Sequence, residues 1–405
     1  MSASSMPPTS IWRVMASGNV VRYLIGNSIS NTGTWVYNLA ASILVFRLTG
    51  SALLVGAVSS AQFAGTILLA PWAGSAADRF DRRRLLTSLQ TGGALVSGAL
   101  AVMNATGNAT AGVVIASSAL LGFALAFTTP ALHALIPLLV PERDTDLAVA
   151  LNSLTFNLAR ALGPLIGAAV IASLGLSAAF AFNGVSFLVF VVAVSTLRPR
   201  SQQAAPPTSR MFRDSLDYVW HSKEARYVLL TVSSLSISMD PVSTLAPSFA
   251  VDVFGRGDEF AGILIGAFGI GATATALTAM SRLRRFSRSL EVSMISLGVG
   301  MVAYAMAPHE AVALIALAVA GGGYLVSVSQ ATARLHAIVP PERLGRAMAL
   351  WGVAFLGSRP VAALADGAIA DAWQVRPTTA LFALPAFAMA AAWLWPGSPT
   401  RPPVR

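Results

Sequence analysis

The chain has 405 residues, 55% of them hydrophobic and 11% charged, with a formal charge of +10 and a mean hydropathy of +0.68. A soluble domain carries roughly 25% charged residues and buries at most about 75% of its unfolded surface, so this much apolar side chain has no soluble core to enter, whereas a bilayer accepts it on the outside. The arginines lie between apolar runs rather than as a stripe on a polar face, so no nucleic-acid partner is expected.

With no cysteine, disulfides, thiol nucleophiles and thiolate metal sites are excluded. His133, His221, His309 and His336 are too scattered in sequence for a metal motif, and no metal or cofactor is expected. Lys223 is the sole lysine, a bias toward arginine that reads as genome composition rather than chemistry.

The segment from Met1 to Asn19 is polar and Pro/Ser-rich, and the apolar run after it is long enough to stay as a span rather than a cleaved leader. A spanning helix needs about 20 mostly apolar residues. In chain order the spans are expected at 22–46, 52–73, 85–104, 110–139, 147–172, 177–197, 226–251, 260–280, 290–307, 311–338, 346–370 and 378–396. The stretch from Leu85 to Pro141 holds no Asp, Glu, Lys or Arg and turns at Asn104 to Ala109. Ala161 to Leu197 is likewise uncharged, with a break near Gly175, so both read as helical hairpins.

Basic residues in short loops set orientation. One set of loops carries Arg79, Arg82, Arg83, Arg84, Arg143, the run from Arg198 to Arg226, then Arg282, Arg284, Arg285, Arg288, Arg334, Arg343 and Arg346; the other carries only Arg47, Arg256 and Arg376. The first set, and with it both termini, is expected in the cytoplasm, which makes this a multi-pass protein of the inner membrane.

The one long connection, from Arg198 to Glu224, contains a Ser/Gln/Pro-rich run at 201–209 and then Phe212, Leu216, Val219 and Trp220 spaced for one helical face. It divides the chain into an N-terminal unit (1–197), a linker with an interfacial helix (198–225) and a C-terminal unit (226–405). The two units are related. Leu132-His133-Ala134-Leu135-Ile136-Pro137 matches Leu335-His336-Ala337-Ile338-Val339-Pro340, and Pro141-Glu142-Arg143 matches Pro341-Glu342-Arg343, an offset of about half the chain. An even number of spans per unit gives both copies one orientation, the parallel-repeat arrangement.

Between spans two and three stands Gly74-Ser75-Ala76-Ala77-Asp78-Arg79-Phe80-Asp81-Arg82-Arg83-Arg84. Gly74 permits close helix approach, and Asp78 at a membrane edge can face a helix N-terminus and pair with arginine. In residue types, spacing and place the run resembles G-x-x-x-D-R-x-x-R-R, the signature of the major facilitator superfamily; it has Ala76 where that pattern often has Leu and Asp81 where it often has Gly. The resemblance implies an all-α membrane protein with twelve transmembrane helices in two parallel six-helix halves. It also implies a gating latch of Gly74, Asp78, Arg79, Arg82 and Arg83 that meets the start of span eleven near Gly345 and Arg346 and steadies the outward-facing state. A bland reading of Arg82 to Arg84 as topological anchors stays open.

In span five, Gly163-Pro164-x-x-Gly167 resembles the antiporter motif of the superfamily's exporters and is expected to form a kink at a helix interface. The run Asn152 to Arg160, with Asn27, Asn31 and Trp35 in span one, resembles the drug and siderophore exporter branch.

Ionisable groups inside spans are costly and point to function. Asp240, followed by Pro241 in span seven, and Asp366 in span eleven are the proton-coupling candidates, with a static ion pair as the alternative for Asp240. Arg160 and Arg359 are expected to contact an anionic substrate, pair with acids or brace helix packing. Asn27, Asn31, Trp35 and Asn38 share one face of span one. Together with Gln62, Phe63, Phe156 and Asn157 they are expected to line a substrate cavity or, for the amides, to hydrogen-bond between helices.

No G-x-S-x-G, H-E-x-x-H or Walker A pattern occurs, so neither an enzyme nor an ATP-driven pump is expected. The family resemblance then implies a secondary transporter, expected to act as a monomer, that exports a small amphipathic molecule in exchange for protons. An importer of a small nutrient with the same fold is the alternative.

Overall fold

A computed structural model describes residues 11–69, 72–73, 76, 79–199, 222–278, 286, 288–396 and 398, and the backbone alone at 341–346 and 349. The described residues form helices and no strand. After a short helix, Ile11–Ala16, come α1 (Gly18–Thr49), α2 (Ala52–Leu68), α3 (Arg82–Ala105) and α4 (Ala111–Leu135). Thr145–Ser195 follows as one element, broken only at Gly175, whose φ of 83° and ψ of 175° a side chain would strain. Its limbs are α5 (145–174) and α6 (176–195). Then come α7 (Lys223–Met239), α8 (Phe260–Thr278), α9 (Ser289–Ala305), α10 (Glu310–Ile338), α11 (Pro341–Ala372) and α12 (Val375–Phe382, continued by Leu384–Leu394). The expected interfacial helix around 211–220 lies outside the described residues.

Local chemistry sets the ends of these helices. Ser51, Asp81, Thr110 and Ser222 each accept an amide hydrogen bond three residues on, capping α2, α3, α4 and α7. Gly50, in the left-handed region at φ 65°, returns its N–H to the Phe46 carbonyl and turns α1 into α2 within three residues. Asp81, at the place where the family pattern often has Gly, is thus the N-cap of α3.

Twelve full spans are not what length and apolarity alone give. Seven helical stretches are long and apolar enough to cross a membrane among the described residues, or eight if the bent pair Lys223–Thr244 and Ala246–Val253 is one span. The difference has physical causes. Glu142–Ser195 counts once although it folds back at Gly175, α2 and α9 are only 17 residues long as described, and the amides along α1 offset its apolar residues. Those amides face protein rather than lipid. The outward faces instead carry exposed Leu95, Leu120, Leu174, Val192, Leu277 and Ile315, which is how a bundle in lipid is built.

Two seams join α1–α6 to α7–α12. In the first, α2 runs antiparallel to α11: Gly56 lies against the Ala363 carbonyl, Ser60 Oγ donates to the Pro360 carbonyl (2.6 Å), and Gly367 meets Ala52 and Leu53. In the second, Gly262, Gly266 and Gly269 of α8 receive Pro164, Leu165 and Ala161 of α5. Small residues let the backbones approach where water cannot drive association.

Candidate functional site

A cavity lies between the seams. Trp35, Asn38 and Ser42 of α1, Gln62 and Phe63 of α2, Pro164 of α5, Ser243, Ile265 of α8 and Arg359 of α11 contribute to its wall. Five of the expected site residues therefore share one wall: Trp35, Asn38, Gln62, Phe63 and Arg359.

The polar face of α1 is real, but its members have separate partners. Asn27 donates to Asn152 Oδ1 of α5 (2.8 Å), which also accepts from the Tyr23 hydroxyl (3.1 Å), so Asn27 ties helices together. Asn38 Oδ1 accepts from Gln62 Nε2 (2.9 Å) across the α1–α2 pair. Asn31 is half-buried and makes no side-chain hydrogen bond among the described residues. Phe156, 43% exposed, lies one turn from Arg160 toward the arginine-rich end. Asn157 is exposed and donates back to the Ser153 carbonyl of its own helix (2.8 Å), so it is not part of this wall.

The acids and their arginine come together. Asp240 at the end of α7 is 1% exposed and accepts from Arg359 Nε (3.5 Å) and from Thr244 Oγ1 (2.9 Å). Beside them, Ser233 and Ser236 hydrogen-bond to the Ala354 and Phe355 carbonyls, which pins α7 to α11. The Arg359 guanidinium also stacks 4.5 Å from the Phe63 ring centroid, reaching across to α2. Asp366 is fully buried, both of its oxygens lack a hydrogen-bond partner, and it stands within electrostatic reach of Asp240 and Arg359.

Arg160 has no carboxylate partner among the described residues. Its guanidinium lies 5.9 Å from the Trp35 ring and 5.1 Å from the Tyr324 ring, and one nitrogen contacts the Met239 sulfur at 3.2 Å. These neighbours come from α1, α10 and α7, so the group is interior and between the two sets of helices. Sequence reasoning missed Tyr324, Met239 and Thr244; the glycine run 321–323 before Tyr324, which lets α8 and α9 come close, was the one available signal.

The Gly163-Pro164-x-x-Gly167 segment packs closely at a helix interface. A methyl group on Gly163 would stand 2.5 Å from Trp35 Cβ, and Gly167 faces Val36, while non-helical backbone inside this element occurs only at Gly175.

Of the latch, Gly74 and Asp78 lie outside the described residues, as do the side chains near Gly345 and Arg346. Arg79 is exposed. Arg82 donates to the Ala134 carbonyl (3.5 Å) and Arg83 to the Ser195 carbonyl, fastening the start of α3 to α4 and α6. The opposite end carries its own fastening. Asp371 at the end of α11 caps α2 by accepting from Ser51 Oγ (2.5 Å) and the Ala52 and Leu53 amides (2.7 and 3.1 Å), and Arg47 pairs with Asp258 beside it.

A family profile for transmembrane secretion effectors matches residues 10–396. The chain belongs to this family of major facilitator superfamily transporters. Like its relatives it is a multi-pass membrane protein of the class that moves small molecules. It is 26% identical over 209 residues to the staphyloferrin A transporter of Staphylococcus aureus, a match covering 51% of this chain and 53% of that protein, so it spans about half the relative's length. It is 26% identical over 329 residues to the multidrug efflux pump Tap of Mycolicibacterium fortuitum, covering 77% and 80%. Among solved structures it resembles a bacterial homologue of the lysosomal transporter Spinster (TM-score 0.75, 13% identity, 95% and 96% covered). It also resembles the D-xylose-proton symporter (0.71, 17%, 95% and 98%). At such identities these likenesses establish the fold alone.

Proposed function

We propose that the chain is a proton-coupled antiporter that exports small amphipathic molecules by alternating access. Two six-helix units, 1–197 and 226–405 joined by the linker 198–225, rock about the cavity with the arginine-rich end in the cytoplasm. The observation that carries this reading is the Asp240–Arg359–Asp366 cluster beside the cavity wall. Asp240 has a cation and a hydroxyl to hold its charge, whereas Asp366 has no side-chain hydrogen bond and no ion pair among the described residues. A buried carboxyl group in that position holds a proton and releases it when the cavity opens to water or when Arg359 changes partner. Family membership and the efflux pump relative support the outward direction, and Asp78 with Arg79, Arg82 and Arg83 supports a cytoplasmic latch in the outward-facing state.

The test is accumulation of a panel of fluorescent amphipathic compounds, anionic as well as cationic and neutral, in inverted membrane vesicles, with and without a proton uncoupler. Uncoupler-sensitive accumulation that is lost in Asp366→Asn supports the reading. Accumulation insensitive to the uncoupler, or transport only in right-side-out vesicles, overturns the coupling or the direction.

A further inference from the structure

The two arginines of the cavity region are in opposite states. Arg359 has a carboxylate; Arg160 does not. A guanidinium carries five N–H donors. Of Arg160's, one meets a thioether, a weak acceptor, and the rings of Trp35 and Tyr324 hold its faces. Its nitrogens are absent from the buried atoms that lack a partner, so they remain open to the space between the helices. Tyr324 is 3% exposed, so its ring is a fixed platform for the charge. The guanidinium is thus a full positive charge without a carboxylate among the described residues, and its planar, forked geometry matches one.

From this juxtaposition of Arg160, Tyr324 and Trp35 we propose that the substrate is an amphipathic organic anion whose carboxylate binds the Arg160 guanidinium, held between the Tyr324 and Trp35 rings, while its apolar body lies against Trp35. This rests on the transporter reading above and names its substrate class. Arg160 lies one helical turn from Pro164, which lines the cavity, and one turn from exposed Phe156 on the arginine-rich side. The anion thus meets the charge at the entrance to the cavity. Displacing Met239 from the guanidinium couples arrival of the substrate to α7, the helix that carries Asp240.

Purified protein in detergent is assayed by scintillation proximity with tritiated naphthoate, a carboxylate on an aromatic body, competed by neutral naphthamide and by inorganic phosphate. Saturable naphthoate binding is expected, with naphthamide and phosphate each about tenfold weaker or worse as competitors. Arg160→Gln loses about tenfold or more in affinity, Arg160→Lys retains part of it, and Trp35→Leu, which removes the ring under both the charge and the apolar body, loses severalfold. Thermal unfolding checks each variant, and Trp35→Leu carries the test if Arg160→Gln does not fold. The proposal is overturned by absence of saturable naphthoate binding to the folded wild type, by naphthamide competing equally, or by unchanged affinity in Arg160→Gln. Phosphate competing as well as naphthoate overturns the substrate class in favour of small inorganic anions. Binding in detergent needs no gradient and no direction. Export without naphthoate binding therefore removes this proposal alone, and naphthoate binding without uncoupler-sensitive export removes the antiporter reading alone.

Discussion

The carboxylate of Asp371, the last acid of α11, accepts a 2.5 Å hydrogen bond from the hydroxyl of Ser51, some 320 residues earlier in the chain. The two neighbouring amides of α2 donate to the same carboxylate, so a negative charge sits where the α2 dipole is positive. This contact holds α2 to α11 at the end opposite the arginine-rich loops, where Arg47 and Asp258 also meet. Asp371→Asn keeps an acceptor and loses the charge, weakening the contact by about 1.5–3 kcal/mol. A cysteine placed at Ser42, in an otherwise cysteine-free chain, should then react about tenfold faster with a membrane-impermeant maleimide applied from that side. An unchanged rate would show that the cap does not keep the cavity closed there.

Breaking one member of a buried ion pair leaves the other uncompensated. Arg359→Gln strands Asp240 in the interior and should destabilise the detergent-solubilised protein by about 3–5 kcal/mol. Asp240→Asn combined with Arg359→Gln should recover much of that loss, because no lone charge remains. Thermal unfolding of the two singles and the double tests this, and additive effects would count against direct coupling.

Glycines of this chain differ in what they face. Gly163→Ala brings a methyl group onto Trp35 and should cost about 1–3 kcal/mol. Gly98→Ala, where an added Cβ meets nothing within 4 Å, should be neutral or slightly stabilising. Equal unfolding temperatures for the two variants would remove the packing role given to Gly163.

At the start of α3, Asp81 accepts from the Arg84 amide at 2.8 Å. Asp81→Ala should cost about 1 kcal/mol in the same unfolding assay, and Asp81→Ser should restore most of it. If Asp81→Ser is as unstable as Asp81→Ala, the residue acts through its charge on the arginines rather than as a cap.

Much of this was legible in the residues themselves. Periodicity and loop arginines located the helices, and the cost of intramembrane charge singled out Asp240, Asp366, Arg160 and Arg359. The shared face of Asn27, Asn31, Trp35 and Asn38 was correct as a face, but a face does not say which neighbour it meets. Asn27 turned out to serve α5 and Asn38 to serve α2. Asn157 is exposed and bonded to its own backbone, and Phe156 beside it is exposed as well, so this stretch of α5 stands outside the cavity wall. Tyr324, Met239 and Asp371 gain their roles only from helices in the other part of the chain, and no local pattern encodes that pairing.

Gly175 has a mechanical consequence. It is a single-residue elbow between α5, which bears Arg160 and Pro164, and α6, whose Ser195 carbonyl takes the Arg83 hydrogen bond. A joint this short has no slack. With no loop between them, α5 and α6 are linked through one residue, so a tilt of α5 would reach the foot of α3 by way of α6 and the Ser195 carbonyl, like the far end of a seesaw.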